Sequence, residues 1–414
     1  MQTHTQILID RWLARPLAIL TNYLVRLAGY LVRPKHNLRV PFKTIVLCKF
    51  KGMGSIVQAT PLLQSLRNQY PSAHIIFVSS EANRGLLNEI GLIDQTILLN
   101  DRSFLKLFFS LCAAWWKLIR RRAGLYIDLE IYSDFSSLFA AASMARNRFG
   151  FYLRSSSFRM GIYTHMMYFN TRVPVSDAYL QMTSLLGLQH IHRDLYCFPV
   201  KQQQPTEAVK PYWIINPNAS DLRLERRWPA AAFCELIRKL HEHLPDRDFL
   251  FIGSSGERGY VEELTRQLQH MPVYNTAGEW SLSQLIQKIH SAEGMITNDT
   301  GPMHLALALK VPVICLFGPC SPVQYHFHDR AFVVYKKLYC SPCVHDFQEA
   351  PCKGQNHCMQ MIEVEEVFQQ VMNLLRGEKT EYTPHPVYYT NALQEAVGWV
   401  HRSGVSGPRD YFAL

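Results

Sequence analysis

Short apolar runs, each followed by a turn and then a helical pattern, recur along this chain in two blocks. Residues 44–48, 74–79, 96–99 and 126–129 read as strands in the first block, and 212–216, 249–253, 295–298 and 311–317 in the second. Helical patterns fit 56–69 and 104–122, then 230–240, 259–270, 283–291 and 303–310. Strands that alternate with helices must be joined by crossovers and lie parallel, so each block is an α/β unit with its sheet covered on both faces. The polar stretch 201–210 is the linker between them. Open sheets bind ligands beyond the carboxyl ends of their strands, and two such units predict a cleft between those ends.

The 414 residues are 48 % hydrophobic and 18 % charged, enough apolar side chain for a substantial core and incompatible with wholesale disorder. A formal charge of +10 points to an anionic partner. Arg11, Arg15, Arg26, Arg33, Lys35 and Arg39 oppose Asp10 alone within 1–40, and Arg102, Lys106, Lys117, Arg120, Arg121 and Arg122 oppose Asp101 alone within 98–127. Both regions are interleaved with large apolar residues, unlike a nucleic-acid-binding tail, and no nucleic acid partner is expected. Over 16–32 the pattern is a helix with Arg15, Asn22, Arg26 and Arg33 near one face and Leu13, Leu17, Leu20, Leu24, Leu27 and Leu31 over much of the rest. That helix suits a membrane interface, with arginines at anionic headgroups and leucines in the boundary layer. Packing on its own domain or on a second subunit of a homo-oligomer is the other reading. The helix 104–122 offers the same choice, with Phe104, Leu107, Phe108, Leu111, Trp115 and Leu118 opposite Lys106, Lys117 and Arg120. Arg26 interrupts the apolar stretch 17–32, so neither a signal peptide nor a spanning helix is expected. The expected location is cytoplasmic, peripheral on the inner leaflet of the inner membrane.

Ten cysteines are too few for a disulfide scaffold. Cys48 and Cys315 sit in apolar runs and read as core residues of a reduced protein. Cys340 and Cys343, followed by Cys352 and Cys358, have a spacing that suits a structural zinc or iron site, with His345 and His357 as alternate ligands. Reduced thiols and disulfides are the other states open to this group. No open ligand position is evident, so a metal there would brace the loop 340–358 rather than activate water.

Five turns at or just beyond predicted strand ends carry residues suited to chemistry. Lys51, Gly52, Gly54 and Ser55 form a glycine loop whose backbone amides can approach an oxygen-rich group, though it has neither the dinucleotide nor the P-loop spacing. Asn298, Asp299, Thr300, Gly301, Met303 and His304 lie between a strand and a helix start, where a cap leaves amides aimed at an anion. Asn216 ends another strand and is followed by Arg223, Arg226 and Arg227, which can neutralise a diphosphate by forked hydrogen bonds. Glu257 ends the next strand's turn and suits ribose hydroxyls. Asp128 and Glu130 close a strand of the first block, on one side by alternation, where a carboxylate can take a proton from an acceptor hydroxyl. Glu130, the later of the two, is the favoured base. Each turn taken singly also fits a solvated turn or a helix cap.

Together these residues resemble glycosyltransferase family 9, the ADP-heptose:lipopolysaccharide heptosyltransferases, in a divergent branch. The resemblance spans 44–366, with its strongest block at 298–306 and 312–321 and further blocks at 52–61 and 216–229. It implies a GT-B fold: two Rossmann-like domains facing a cleft, here preceded by an amphipathic N-terminal helix. The implied organisation is an N-terminal segment 1–40, an acceptor-side domain 41–205, a nucleotide-sugar-binding domain 206–376 and a tail 377–414 that crosses back toward the first domain. The implied activity is inverting transfer of a heptose or another hexose-like sugar, without a catalytic metal, from a nucleotide-diphosphate donor to lipopolysaccharide, another surface glycan or a glycolipid. Asp299, Thr300, Gly301, Met303 and His304 would then lie near the donor diphosphate, Arg226 or Arg227 would replace a phosphate-binding lysine, and Glu257 would meet the ribose. One departure stands out: the family's catalytic aspartate after the first glycine loop is replaced by Ser55. Either the base has moved to Glu130 or the protein is an inactive nucleotide-sugar-binding or glycan-assembly protein. A nucleotide-sugar epimerase is a third reading.

Overall fold

The computed structural model describes residues 10–200, 210–219, 223–344 and 350–380. They fall into two compact units, one of residues 10–171 and 175–193, the other of 172–174 and 194–380. Linker residues 201–209, Ser220, His345 and the tail's Tyr382, Tyr388, Tyr389 and Trp399 lie outside the described residues.

The first unit runs α1 (Arg15–Val32), β1 (Thr44–Cys48), α2 (Met53–Gln58), α3 (Thr60–Gln69), β2 (His74–Ser80), α4 (Arg84–Glu89), β3 (Gln95–Leu99), α5 (Phe104–Arg121), β4 (Leu125–Asp128), α6 (Asp134–Ala142), β5 (Asn147–Tyr152), β6 (His165–Tyr168) and α7 (Val175–Leu186). Its strands are parallel throughout, in the order β3-β2-β1-β4-β5-β6. Every residue of β1 is buried, which is why an unbroken apolar run and not an alternation marks this strand. Cys48 pairs with both Val78 and Asp128, so β1 and β4 end side by side while their crossovers diverge to opposite halves of the sheet.

The second unit repeats the plan: β7 (Tyr212–Asn216), α8 (Ala230–His243), β8 (Asp248–Phe251), α9 (Arg258–Arg266), β9 (Val273–Asn275), α10 (Leu282–His290), β10 (Gly294–Asn298), α11 (Gly301–Ala308), β11 (Val313–Phe317), β12 (Ala331–Tyr335) and α12 (Val364–Leu375). The order β12-β11-β10-β7-β8-β9 puts its switch point between β7 and β10. Trp213, Trp228, Phe233, Phe249 and Phe251 fill the core. Gly294 makes that packing possible, because a Cβ there would stand 2.6 Å from the Trp213 ring.

The single helix expected over 56–69 is two helices meeting at Ala59. Pro61 has no N–H for the Val57 carbonyl, and the Thr60 hydroxyl donates to that carbonyl instead, at 2.6 Å. The strands β5, β6, β9 and β12 were not expected. β6 and β9 are edge strands of three or four residues, and β5 opens on the polar Asn147-Arg148 pair.

The N-terminal helix packs on its own unit through a narrow stripe of small and polar residues. Ala14, Ala18 and Asn22 form its buried stripe, Asn22 Oδ1 accepts the Gly161 N–H at 2.6 Å, and Arg15 pairs with Asp134 at 3.2 Å. Of the predicted headgroup face only Asn22 is buried; Arg15, Arg26 and Arg33 remain exposed, and the leucines point outward as well. In α5, Ala114 and Leu118 pack inward, while Phe104, Phe108, Trp115 and Trp116 are exposed. Ahead of α1, Asp10 accepts from Ser133 Oγ, Asp134 N–H and Phe135 N–H at 3.2, 3.0 and 2.8 Å, capping α6 from more than a hundred residues away. An Asp10→Ala variant is expected to destabilise the first unit by about 1 kcal/mol and to speed amide exchange at Asp134 and Phe135, measured by hydrogen exchange.

Candidate active site

Each sheet's switch point holds an ion pair, buried in the first unit and partly buried in the second. In the first unit, Lys49 immediately follows β1 and its Nζ donates to Glu130 Oε2 at 2.8 Å. Glu130 Oε1 accepts the Phe50 and Lys51 N–H groups at 2.7 and 3.1 Å. Two donors saturate Oε1, whereas Oε2 takes Lys49 alone and keeps one lone-pair site. Burial opposes the charge on Lys49, but Glu130 outweighs it and raises the lysine pKa. The glycine loop is therefore tied from below by Glu130. Gly52, at φ +90°, makes the turn that L side chains rarely adopt, ahead of α2, which contains Gly54 and Ser55. Ser55 hydrogen-bonds Tyr179, whose phenol is pushed up to about 12 by burial, with Lys49 acting the other way.

Asp128, the last residue of β4, lies beneath this cluster and is wholly buried. Its Oδ1 accepts the Glu130 N–H at 2.9 Å and its Oδ2 the Tyr163 hydroxyl at 2.5 Å. Burial pushes its carboxyl up to about 6, with the hydrogen bond from Tyr163 opposing. Sequence alternation placed Asp128 and Glu130 side by side, but the strand stops at Asp128 and the next turn carries Glu130 to the loop. Arg159, 1 % exposed, donates to the Ile131 and Ser133 carbonyls at 2.9 Å each and fixes that turn. Neither Arg159 nor Tyr179 carries a sequence signal; Lys49, adjacent to the glycine loop, was the one findable partner.

In the second unit, Asn216 closes β7 and donates to Thr297 Oγ1 at 2.9 Å and Thr300 Oγ1 at 2.6 Å. Asn298 closes β10, accepts the Trp228 N–H at 3.2 Å and donates to the Pro217 and Asn218 carbonyls. These amides stitch the strand ends around the start of α11, whose first amide, Gly301 N–H, has no intrahelical acceptor by construction. Thr300 is the N-cap residue, but its hydroxyl serves Asn216 rather than the helix. Arg226 Nη1 stands 3.6 Å from Asp299 Oδ2 and donates to the Asp299 carbonyl at 3.3 Å. Burial opposes the charge of Arg226, but Asp299 raises its pKa. Both carboxylate oxygens of Asp299 are shielded from solvent, with Arg226 at 3.6 Å and the Tyr325 hydroxyl and Cys320 thiol as their other polar neighbours. His304 is buried against Tyr325, ring centroids 4.8 Å apart, and burial lowers its pKa to about 4, leaving it neutral at pH 7.

The remaining predicted residues separate. Arg227 stacks over Tyr260 at 4.2 Å and Arg223 donates to the Val344 carbonyl, which leaves Arg226 as the arginine of this strand end. Glu257 Oε2 accepts from both the N–H and the hydroxyl of Ser254, closing a capping box. Met303 is core.

The expected metal site on Cys340, Cys343, Cys352 and Cys358 is not formed. Among the described residues no three His, Cys, Asp or Glu side chains converge to hold a metal ion, and all four cysteines are free thiols. Burial raises the Cys343 pKa and pushes Cys358 up to about 11. The alternate ligand His357 is engaged with Gln355 at 2.9 Å. The four cysteines line one small cavity, but among the described residues no three of them are arranged to hold a metal ion.

A family model described as glycosyltransferase family 9 (heptosyltransferase) matches residues 190–353. Lipooligosaccharide heptosyltransferase 2 of Campylobacter jejuni is 26 % identical over 336 residues, covering 78 % of this chain and 96 % of that protein. Among solved structures, a family 9 glycosyltransferase from Veillonella parvula superposes with a TM-score of 0.67 at 20 % identity, over 83 % of this chain and all of that one. The Escherichia coli ADP-heptose lps heptosyltransferase II gives 0.61 at 19 % identity, over 81 % and 99 %. The fold is thus the expected GT-B type, two parallel α/β lobes with an N-terminal helix.

Asp128 yields a prediction with a definite sign. Its native pKa of about 6 exceeds the unfolded value, so the native state binds more protons between the two, and its contribution to stability falls as pH rises through that window. An Asp128→Asn variant lacks this slope. Relative to the parent it is expected to gain up to about 3 kcal/mol between pH ~4 and pH ~7, measured by urea unfolding of both proteins; a difference independent of pH would contradict the assignment.

Proposed function

We propose that the chain, whose residues 190–353 match glycosyltransferase family 9, is an inverting transferase of that family that moves a heptose or another hexose-like sugar from a nucleotide-diphosphate donor to a hydroxyl of lipopolysaccharide, another surface glycan or a glycolipid. The observation that carries the donor half is the Arg226–Asp299 pair beside the α11 N-terminus at the switch point of the second sheet. A diphosphate there would meet the Arg226 guanidinium, aligned by Asp299, and the Gly301 amide, two positive groups fixed before the reaction. Heptose and a lipopolysaccharide acceptor come from the names of the similar proteins, a lipooligosaccharide heptosyltransferase and an ADP-heptose heptosyltransferase.

For the acceptor half, Glu130 is the proposed base. Lys49 Nζ donates to its Oε2 at 2.8 Å, and that oxygen has the spare lone pair that a hydroxyl proton needs. The acceptor oxygen loses its proton to Glu130 as it attacks the anomeric carbon; the bond from that carbon to the diphosphate oxygen breaks, and its electron pair leaves with the diphosphate, stabilised by Arg226 and Gly301. Attack opposite the leaving group inverts the centre. Ser55, at the position of the family's aspartate, is a hydrogen-bond partner of Tyr179 in this scheme and not a base. The proposed setting is the cytoplasmic face of the inner membrane, where a lipid-linked acceptor would be met. Among the described residues no helix is long and apolar enough to cross a membrane.

The test is a thermal-shift panel of ADP-, GDP-, UDP- and dTDP-linked sugars on the parent and on Asp299→Ala, followed by turnover with the donor that binds. A selective shift, lost in Asp299→Ala, is expected. Glu130→Gln should keep that shift and lose at least about 10²-fold in turnover, while a Lys49→Met/Glu130→Gln double variant, which leaves no buried lone charge, guards against misfolding. Binding without turnover in the parent would favour the inactive binding protein, and release of epimerised sugar without acceptor would favour the epimerase.

A further inference from the structure

We infer that the outward faces of α1 and α5 form one seat for a bilayer containing anionic lipid. The inference rests on the membrane-side placement proposed above and names the surface and the lipid chemistry. Its first support is that α1 leaves its leucines exposed. A helix on the surface of a water-soluble unit normally buries its leucines and exposes its arginines. Here Ala14, Ala18 and Asn22 are buried, Arg15 is paired to Asp134, and Leu20, Leu24, Leu27 and Leu31 are each more than half exposed. Asp10 caps α6 and thereby pins the start of this helix, so the leucine face is held in a fixed orientation.

The second helix presents the same chemistry. Ala114 and Leu118 of α5 pack in one cluster with Ala18 of α1, with Phe139 of α6 and with the face of the sheet that Val46 and Ile76 supply, so both helices lie on the same side of the sheet. Facing away from it, Phe104, Leu105, Phe108, Phe109 and Trp116 are each more than half exposed. Single exposed apolar residues need no explanation, but two helices with ordered apolar faces on one side do.

Charge selects the occupant. Neither α1 nor α5 contains an acidic residue, and Lys106, Lys117, Arg120 and Arg121 lie on α5, while Arg33, Lys35 and Arg39 follow α1. A second copy meeting this face about a two-fold axis would set cation against cation. Anionic headgroups are complementary to it. Arg33 stacks over Tyr30 at 5.7 Å and Arg120 over Trp116 at 4.5 Å, pairing an interfacial ring with a cation able to reach the headgroup level. With Ala14, Ala18 and Asn22 held against its own unit, and with no described helix long and apolar enough to cross a membrane, α1 would lie in the plane of the interface.

The full chain is tested by flotation with phosphatidylcholine vesicles, with and without phosphatidylglycerol, at low and high salt. The expected result is binding at least about tenfold tighter to the phosphatidylglycerol vesicles, weakened by salt. Leu24→Glu/Phe109→Glu should abolish it, and Arg120→Glu/Arg121→Glu should remove the preference for the anionic lipid. Retention of the nucleotide-sugar thermal shift in both variants shows that they are folded. Equal binding to both vesicle types, or binding unaffected by Leu24→Glu/Phe109→Glu, overturns the inference. So does a dimer in light scattering that this variant splits while no vesicle is bound, which would make a second copy the occupant. Vesicle binding without any nucleotide-sugar shift in the parent would leave the lipid seat standing and remove the transferase reading.

Discussion

Where the crossovers of a parallel sheet diverge, the ends of two neighbouring strands are left uncovered by helices, and the polar groups gathered there must be satisfied by something else. This chain meets that constraint twice with an ion pair. Lys49 and Glu130 join the ends of β1 and β4, and Arg226 and Asp299 join the segments after β7 and β10. A buried pair contributes little net stability compared with apolar packing, but removing one partner is costly because the other charge is stranded. Such pairs are therefore better understood as fixing geometry: one ties down a glycine loop, the other aligns a guanidinium beside a helix N-terminus.

The two pairs are unequal in how fully they are satisfied. Glu130 takes three hydrogen bonds at its two oxygens. Asp299 has Arg226 at the longer distance of 3.6 Å, with Tyr325 and Cys320 beside it. In a low-dielectric site that difference makes Asp299 a strong positioning group for the arginine and Glu130 a rigid floor for the loop. Asp128 adds a second layer beneath the first pair. Its carboxyl, raised by burial, bonds the backbone that presents Glu130 and couples the base candidate to Tyr163 and, through the turn, to Arg159.

Central strands were legible because burial on both faces demands continuous apolar runs, and 44–48 and 212–216 coincide with β1 and β7. Edge strands such as β6 and β9 were not, because one exposed flank tolerates His165, Tyr168, Tyr274 and Asn275. The residues of the second switch point stood in a recognisable order along the chain, but choosing Arg226 over Arg223 and Arg227 required their partners: Asp299, the Val344 carbonyl and the Tyr260 ring. The cysteine spacing foretold a shared cavity but not a metal site, since lining one cavity does not fix the side-chain directions that ligands need.

Periodicity and turn chemistry depend on local bonds and on whether a residue meets water, and so the sequence alone determined two parallel α/β units, their principal strand ends and the amphipathic character of α1 and α5. Which face of α1 turns inward was decided by the tertiary structure, because Asn22, Arg15 and Asp10 found specific partners at Gly161, Asp134 and the start of α6, each more than a hundred residues distant. The same holds for Lys49 with Glu130 and for Arg159 with the turn after β4. A buried charge needs a partner, but the partner's position along the chain is fixed only by the topology that brings the two strand ends together.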